Sequence, residues 1–401
     1  MYKLPGYYYI AIIVSVFIIL VCIIFQRPKH IIIKPNVSVS TNTSVSSTLP
    51  LVSSYKPSTV SDNKNQSLSK FLYKVKTAPS PKGLAFVPNG QEIWVTSLLN
   101  TKRGVVVHSG KFYDTLTNIV LNNYGGVEVV VNKNGSKVYI SQMETGSVFE
   151  IDAKTKTILR VFKTNSTWTK VIVLSYDEQK LYASNWSGNN VSEFDLITGK
   201  LIRNIKTVKT PRSIYPTKDN KYLYVAGYDK GELQKINLQD ETSQILYDQG
   251  VALRHIVVDE KRGIMYISDM GKNNILKLNL ANDSIVNFVK TDENPNTIAL
   301  SLDGNLLFVS CRGQNYSEDN YSIPGPEWGT VLIFDTNSGK LVDAIIGGNQ
   351  PTALGVSPDG KVLVFSDFLD GILEFYQIPN YNDLKNNRSP WLQDYKNFIK
   401  K

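Results

Sequence analysis

The sequence predicts an all-β fold, a seven-bladed β-propeller, and three observations carry that prediction. A short strand-ending unit recurs seven times after residue 80, the copies are spaced by about 42 residues, and turn signals divide each copy into four β runs. The units are Trp94-Val95-Thr96-Ser97, Tyr139-Ile140-Ser141, Tyr182-Ala183-Ser184-Asn185, Tyr224-Val225-Ala226-Gly227, Tyr266-Ile267-Ser268-Asp269, Phe308-Val309-Ser310-Cys311 and Val364-Phe365-Ser366-Asp367. Their separations are 45, 43, 42, 42, 42 and 56 residues, a tight register broken by one insertion.

Each copy follows a turn that tolerates positive φ, such as Pro88-Asn89-Gly90, Lys133-Asn134-Gly135, Leu302-Asp303-Gly304 or Pro358-Asp359-Gly360. A further β run comes next, as in Val148-Phe149-Glu150-Ile151-Asp152. A second turn, for example Thr198-Gly199-Lys200, then leads to a fourth strand. Parallel β-helices have shorter repeats, and helical solenoids would show a 3.6-residue period that is absent here.

These strand ends resemble the YVTN-type β-propeller repeats, including the YncE-like envelope proteins; Trp94 to Ser97 and Tyr182 to Asn185 approximate the Tyr-Val-Thr-Asn motif. The resemblance covers about 300 residues and implies the propeller fold. For function it implies little, because such propellers serve many roles.

Closure follows from what is left over. The seventh copy stops at Ile378-Pro379 after three strands, while 71–75 (Phe-Leu-Tyr-Lys-Val) precedes the first copy with no blade of its own. Residues 69–78 are therefore expected to supply the outermost strand of the last blade and to seal the ring. The propeller is then 69–379.

Ahead of it, 1–6 form a short flank, and 7–25 are 19 uncharged residues that as a helix would span about 28 Å, enough to cross a bilayer. Tyr7, Tyr8 and Tyr9 suit an interfacial belt, and Arg27 and Lys29 end the run. No small-x-small cleavage site follows, which favours an uncleaved anchor over a signal peptide. Segment 26–68 is a linker; 15 of the 35 residues in 35–69 are Ser or Thr, a composition of solvated stalks. Orientation is contested: Arg27, Lys29 and Lys34 favour the cytoplasmic side for the linker, whereas its composition favours an extracytoplasmic propeller, the reading adopted here.

The net charge of +9 belongs to the ends, since 81–379 carry 30 basic and 32 acidic residues. A near-neutral body argues against nucleic-acid binding. Cys22 and Cys311 are too far apart in context to suggest a disulfide framework, and His30, His108 and His255 occur singly, so neither a zinc site nor a His-coupled nucleophile is indicated.

In a propeller, the loops leading into the innermost strands and those joining second to third strands share one face around the central channel. The lead-in positions align as Lys82, Val127, Lys170, Arg212, Arg254, Asn296 and Thr352, four of them cationic. Converging cations would make a local anion site; the plainer alternative is that they are solvated loop residues. Trp168, Trp186, Tyr228 and Phe368 fall in neighbouring loops, and Arg312 precedes an insertion at 313–328 that holds Tyr316, Tyr321, Glu327 and Trp328. Aromatics beside cations can stack on ligand rings, although large aromatics more often pack blades together. Asp269 and Asp367 at second-strand exits are the candidates for a divalent-metal site of the lactonase or lyase kind.

The tail 380–401 is expected to end in a short helix with Ser389 as N-cap and Trp391, Leu392, Tyr395, Phe398 and Ile399 on one stripe, docked on the propeller or touching the membrane. The resulting expectation is a membrane-anchored envelope propeller without a cofactor, binding a protein, glycan or other anionic ligand rather than catalysing a reaction. A metal-dependent hydrolase or lyase is the first alternative, and single-stranded nucleic-acid binding the second.

Overall fold

Seven four-stranded antiparallel sheets stand around one axis in the computed structural model, which describes residues 66–99, 104–316 and 321–401. The expected spanning segment 7–25, and the linker as far as residue 65, lie outside the described residues. The blades occupy 81–119, 129–163, 169–206, 211–247, 253–290, 295–346 and 351–377. In each blade the first strand is innermost, and consecutive inner strands neighbour one another around the channel.

The last blade has three strands of its own. Its fourth is Lys70–Lys76, which pairs antiparallel with Ile372–Gln377 and brings Lys74 opposite Glu374. The Lys74 ammonium lies 2.6 Å from that carboxylate. The same register recurs inside other blades, where Arg160 faces Glu150 and Arg203 faces Glu193. Just before the strand, Ser67 and Ser69 donate to the buried Asp343 carboxylate of the sixth blade, at 2.7 and 2.8 Å.

Apolar alternation on both faces of each sheet creates a core between blades rather than within them. Every blade-to-blade contact has its own buried cluster. Trp94 and Val107 meet Ile140 and Phe149 between the first and second blades, for example, and Val364 and Phe375 meet Ile93 and Val95 between the seventh and first. The aromatic residue of the recurring unit is thus a wedge between sheets.

The hydroxyl of the unit has a second task. Thr96, Ser141, Ser184, Ser268, Ser310 and Ser366 each accept the N–H of their own inner strand, from Gly83, Glu128, Val171, His255, Thr297 and Ala353. Each also donates to a lead-in carbonyl of the next blade, those of Val127, Lys170, Arg212, Asn296, Thr352 and Pro81. Ala226 interrupts the series in the fourth blade, where Ser213 Oγ instead accepts the Ile256 N–H of the fifth at 3.1 Å. The repeat therefore stitches neighbouring blades at the height of the lead-in residues.

The C-terminal tail docks along the outer strand of the sixth blade. It forms two short helices, α1 (Tyr381–Lys385) and α2 (Trp391–Asp394), the second running into a 3-10 turn at Tyr395–Asn397. The first is absent from the sequence-based expectation; Asn380 caps it by accepting the Asn382 N–H at 2.9 Å. In the second, Ser389 Oγ accepts the Trp391 N–H at 3.2 Å, ahead of only one helical turn. Trp391 is 1% exposed, and its indole N–H donates to Ala344 O at 2.7 Å. Tyr395 and Ile399 join the same cluster.

Candidate functional site

Two concentric sets of side chains surround the channel mouth. The inner set is the lead-in ring, in which the hydroxyl stitches hold the backbone at Val127, Lys170, Arg212, Asn296 and Thr352. The outer set is the residue that follows the strand-ending unit in six of the seven blades: Leu98, Trp186, Tyr228, Met270, Arg312 and Phe368. Their N–H groups donate to Ser80, Trp168, Thr210, Ala252, Asn294 and Gln350 two residues before the lead-in position. Loop and lead-in are thereby locked together blade by blade.

The inner ring gathers Lys82, Lys170, Arg212 and Arg254, and Arg312 joins them from the outer one. Burial, followed by the charges of Arg254, Arg312, Arg212 and Lys170, holds the Lys82 ammonium well below its ordinary range. Burial together with Arg212 and Arg254 brings Lys170 down to about 7. Arg212 and Arg312 are each lowered to about 9 by burial and then by Arg254, so both guanidiniums keep their charge at neutral pH. His255, beside Arg212 and Arg254, is pushed down to about 3 and stays a neutral ring. It lines the channel and is not poised as a base.

Compensation is sparse. Glu128, adjacent to the ring, has its carboxyl raised by burial against the pull of Arg212, and Glu144 acts on Lys170. Arg254 Nε donates to Asn296 Oδ1 at 2.8 Å, and Arg312 donates to Gln350 Oε1. Arg212 is 5% exposed, yet its Nε and Nη1 have no acceptor among the described residues; the same holds for Arg312 Nε and Asn296 Nδ2. Buried donors without acceptors are costly and uncommon. The channel holds a cavity of about 260 Å³, lined by Lys82, Glu128, His255, Thr297 and aliphatic side chains of the inner strands.

Aromatic residues flank one side of this centre. The Lys170 ammonium lies 5.0 Å from the Trp168 ring centroid and 5.3 Å from that of Trp186. Trp186 and Tyr228 are 4.8 Å apart. On the other side, Phe368 sits between Lys82 at 5.4 Å and Arg312 at 5.3 Å.

Glu327 and Trp328, expected at the same mouth, are placed elsewhere. Glu327 bridges to Lys400, the Trp328 N–H donates to Ile399 O at 2.7 Å, and the Trp328 ring lies under the Lys401 ammonium and against the Trp391 cluster. The end of the insertion answers to the tail, a contact between distant segments that leaves no local sequence pattern, whereas its Tyr321 stays at the mouth, 5.7 Å from the Arg312 guanidinium and with its carbonyl accepting from Gln350 at 2.7 Å.

The acidic candidates are structural as well. Asp269 is buried and accepts the N–H groups of Val251 and Ala252. Asp367 is buried, accepts the Gly348 N–H at 2.9 Å, and is raised well above the usual carboxylate range by burial and by Glu374. No group of three or more His, Cys, Asp or Glu side chains able to hold a metal occurs among the described residues. Neither aspartate thus fits the divalent-metal site of the hydrolase alternative. Sequence reasoning missed Glu128, Met270, Asn296 as the Arg254 partner and Gln350. Their shared signal was register: each stands at a fixed offset from a strand-ending unit.

No protein-family model matches the chain. It is 29% identical over 320 residues to Antigen Lp49 of Leptospira interrogans, covering 77% of this chain and 69% of that protein. Among solved structures it is similar to Kuenenia stuttgartiensis hydrazine synthase, with a TM-score of 0.63 and 16% identity over 76% of this chain and 97% of that one. The second likeness is one of fold alone.

Proposed function

We propose that this propeller is a binding module whose channel mouth captures an anionic ligand, a carboxylate or a phosphate, among Lys82, Lys170, Arg212, Arg254 and Arg312. One observation carries the reading: the buried Arg212 guanidinium keeps two nitrogens without an acceptor among the described residues, amid like charges. Five cations facing little more than Glu128 and Glu144 are poorly explained as scaffold, because a buried charge is ordinarily paired. Guanidinium forks match carboxylate and phosphate oxygens in geometry. A nearly neutral body with a basic mouth also confines the attraction to one spot, unlike the extended basic surface that nucleic acid requires.

We further propose that the propeller is membrane-anchored and faces outward. The YVTN-type kinship rests on the strand-ending units. The membrane anchor rests on 7–25, and the outward-facing placement on the Ser/Thr-rich linker together with the name of a relative described as an antigen.

Calorimetric titration with pyrophosphate and with citrate tests the binding site. Binding to the native chain, and its loss in the Arg212→Ala/Arg254→Ala variant with an unchanged fold, is the expected result. Equal affinity in the two proteins would remove the mouth as the site.

A further inference from the structure

The residues that follow the strand-ending units are chemically one-sided. Among Leu98, Trp186, Tyr228, Met270 and Phe368 there is no charge, and Arg312 is the exception. A mouth meant for a bare inorganic anion gains nothing from such a rim; apolar walls next to a charge serve a ligand that carries both characters.

Trp168 makes the same point through the backbone. It has φ 59°, in the left-handed region, and the equivalent loop residues Ser80, Thr210, Asn294 and Gln350 have φ 56°, 49°, 61° and 63°. Five of the seven blades thus place a left-handed residue there, Ala252 being an exception, and the other four of those five use small or polar side chains. A bulky Trp is an unfavourable choice for that backbone. Packing does not repay it, since Trp168 is 48% exposed and belongs to no core cluster. What its ring does is flank Lys170, which stands between it and Trp186 and so joins the aromatic side to the cationic centre.

We infer that the ligand is an amphipathic organic anion whose acidic group rests at Arg212 and Arg254 and whose aromatic body lies against Trp168, Trp186 and Tyr228. This rests on the anion-binding reading above and adds the ligand's second half.

The test is a calorimetric titration of the full chain with acetate, indole-3-acetate and N-acetyl-glycyl-tryptophan, which share a carboxylate. Indole-3-acetate should bind at least about tenfold tighter than acetate, the increment expected of one stacked ring. That advantage should vanish in Trp168→Gly and Trp186→Leu while acetate binding persists; Trp168→Gly removes no core contact, so its folding is not at issue. A preference for the peptide over the free acid would support the inference with a polypeptide terminus as source, and the reverse would support it with a small metabolite. Equal affinity for acetate and indole-3-acetate would overturn the inference and leave the anion site standing. Failure of all three, together with pyrophosphate and citrate, would sink both.

Discussion

Charged groups are buried in two regions of this propeller, carboxylates in one and cations in the other, and the two are compensated differently. On the outer strands, Glu193 is fully buried and is paired with Lys180 and with Arg203, whose Nε lies 2.7 Å away; Glu150 is held likewise by Lys137 and Arg160, and Glu374 by Lys74. Arg160 and Arg203 also donate to the Leu196 and Leu238 carbonyls of the next blade. At the channel mouth, cations of the same types crowd together, and Arg212 Nε and Nη1 find no acceptor among the described residues. The outer arrangement resolves its charges within the protein and so reads as structure. The mouth leaves them unresolved and so reads as a site.

The comparison can be broken most severely at the ring closure. Deleting residues 69–78 removes the strand bearing Lys74, strips the outer edge of the last blade and should abolish the cooperative unfolding transition in thermal melts. A truncated chain melting like its parent would mean that outer pairing contributes little. Next in size is Glu193→Gln, expected to cost about 2–3 kcal/mol in denaturant unfolding. That is less than for a fully buried pair, because Lys180 and Arg203 are partly exposed and can turn to solvent. Ser184→Ala should cost about 1–2 kcal/mol by freeing the Val171 N–H and the Arg212 carbonyl. If instead the loss is negligible, the stitch that positions Arg212 is dispensable, as Ala226 already shows for one blade.

A smaller effect concerns pH. Lys170 faces Arg212, Arg254 and Glu144, with Trp168 and Trp186 beside it, and its ammonium is lowered to about 7. Anion affinity should therefore weaken as pH rises through about 7, where the lysine loses its proton, and Lys170→Met should bind less tightly and lose that step. A flat profile between pH 6 and 8 in the native protein would detach Lys170 from the ligand.

Much of this was legible in the chain, for a definite reason. Blade number follows from a period, and every strand-ending unit combines a wedge aromatic with, in six copies, a bridging hydroxyl, so Trp94, Tyr139 or Ser268 carry the same local message wherever they recur. The lead-in cations were found by the same alignment. Glu327 and Trp328 were misplaced because their partners, Lys400 and Ile399, lie some seventy residues on in a tail that no period describes. Asp269 and Asp367 looked like ligands because an acid at a strand exit has the same letter whether it caps backbone N–H groups or binds a metal. Trp168 could be read as a mouth residue, but its left-handed backbone could not.

The sign of one substitution separates site from scaffold. Arg212→Met, measured by thermal unfolding in a buffer free of multivalent anions, should leave Tm unchanged or raise it by about 2 °C, because a buried charge that Glu128 offsets only in part is replaced by an apolar side chain of similar length. The stabilisation of the native protein by added pyrophosphate should disappear with it. A fall in Tm of several degrees in the absence of ligand, as expected for Glu193→Gln, would show that Arg212 is scaffold and contradict the reading of the mouth as a binding site.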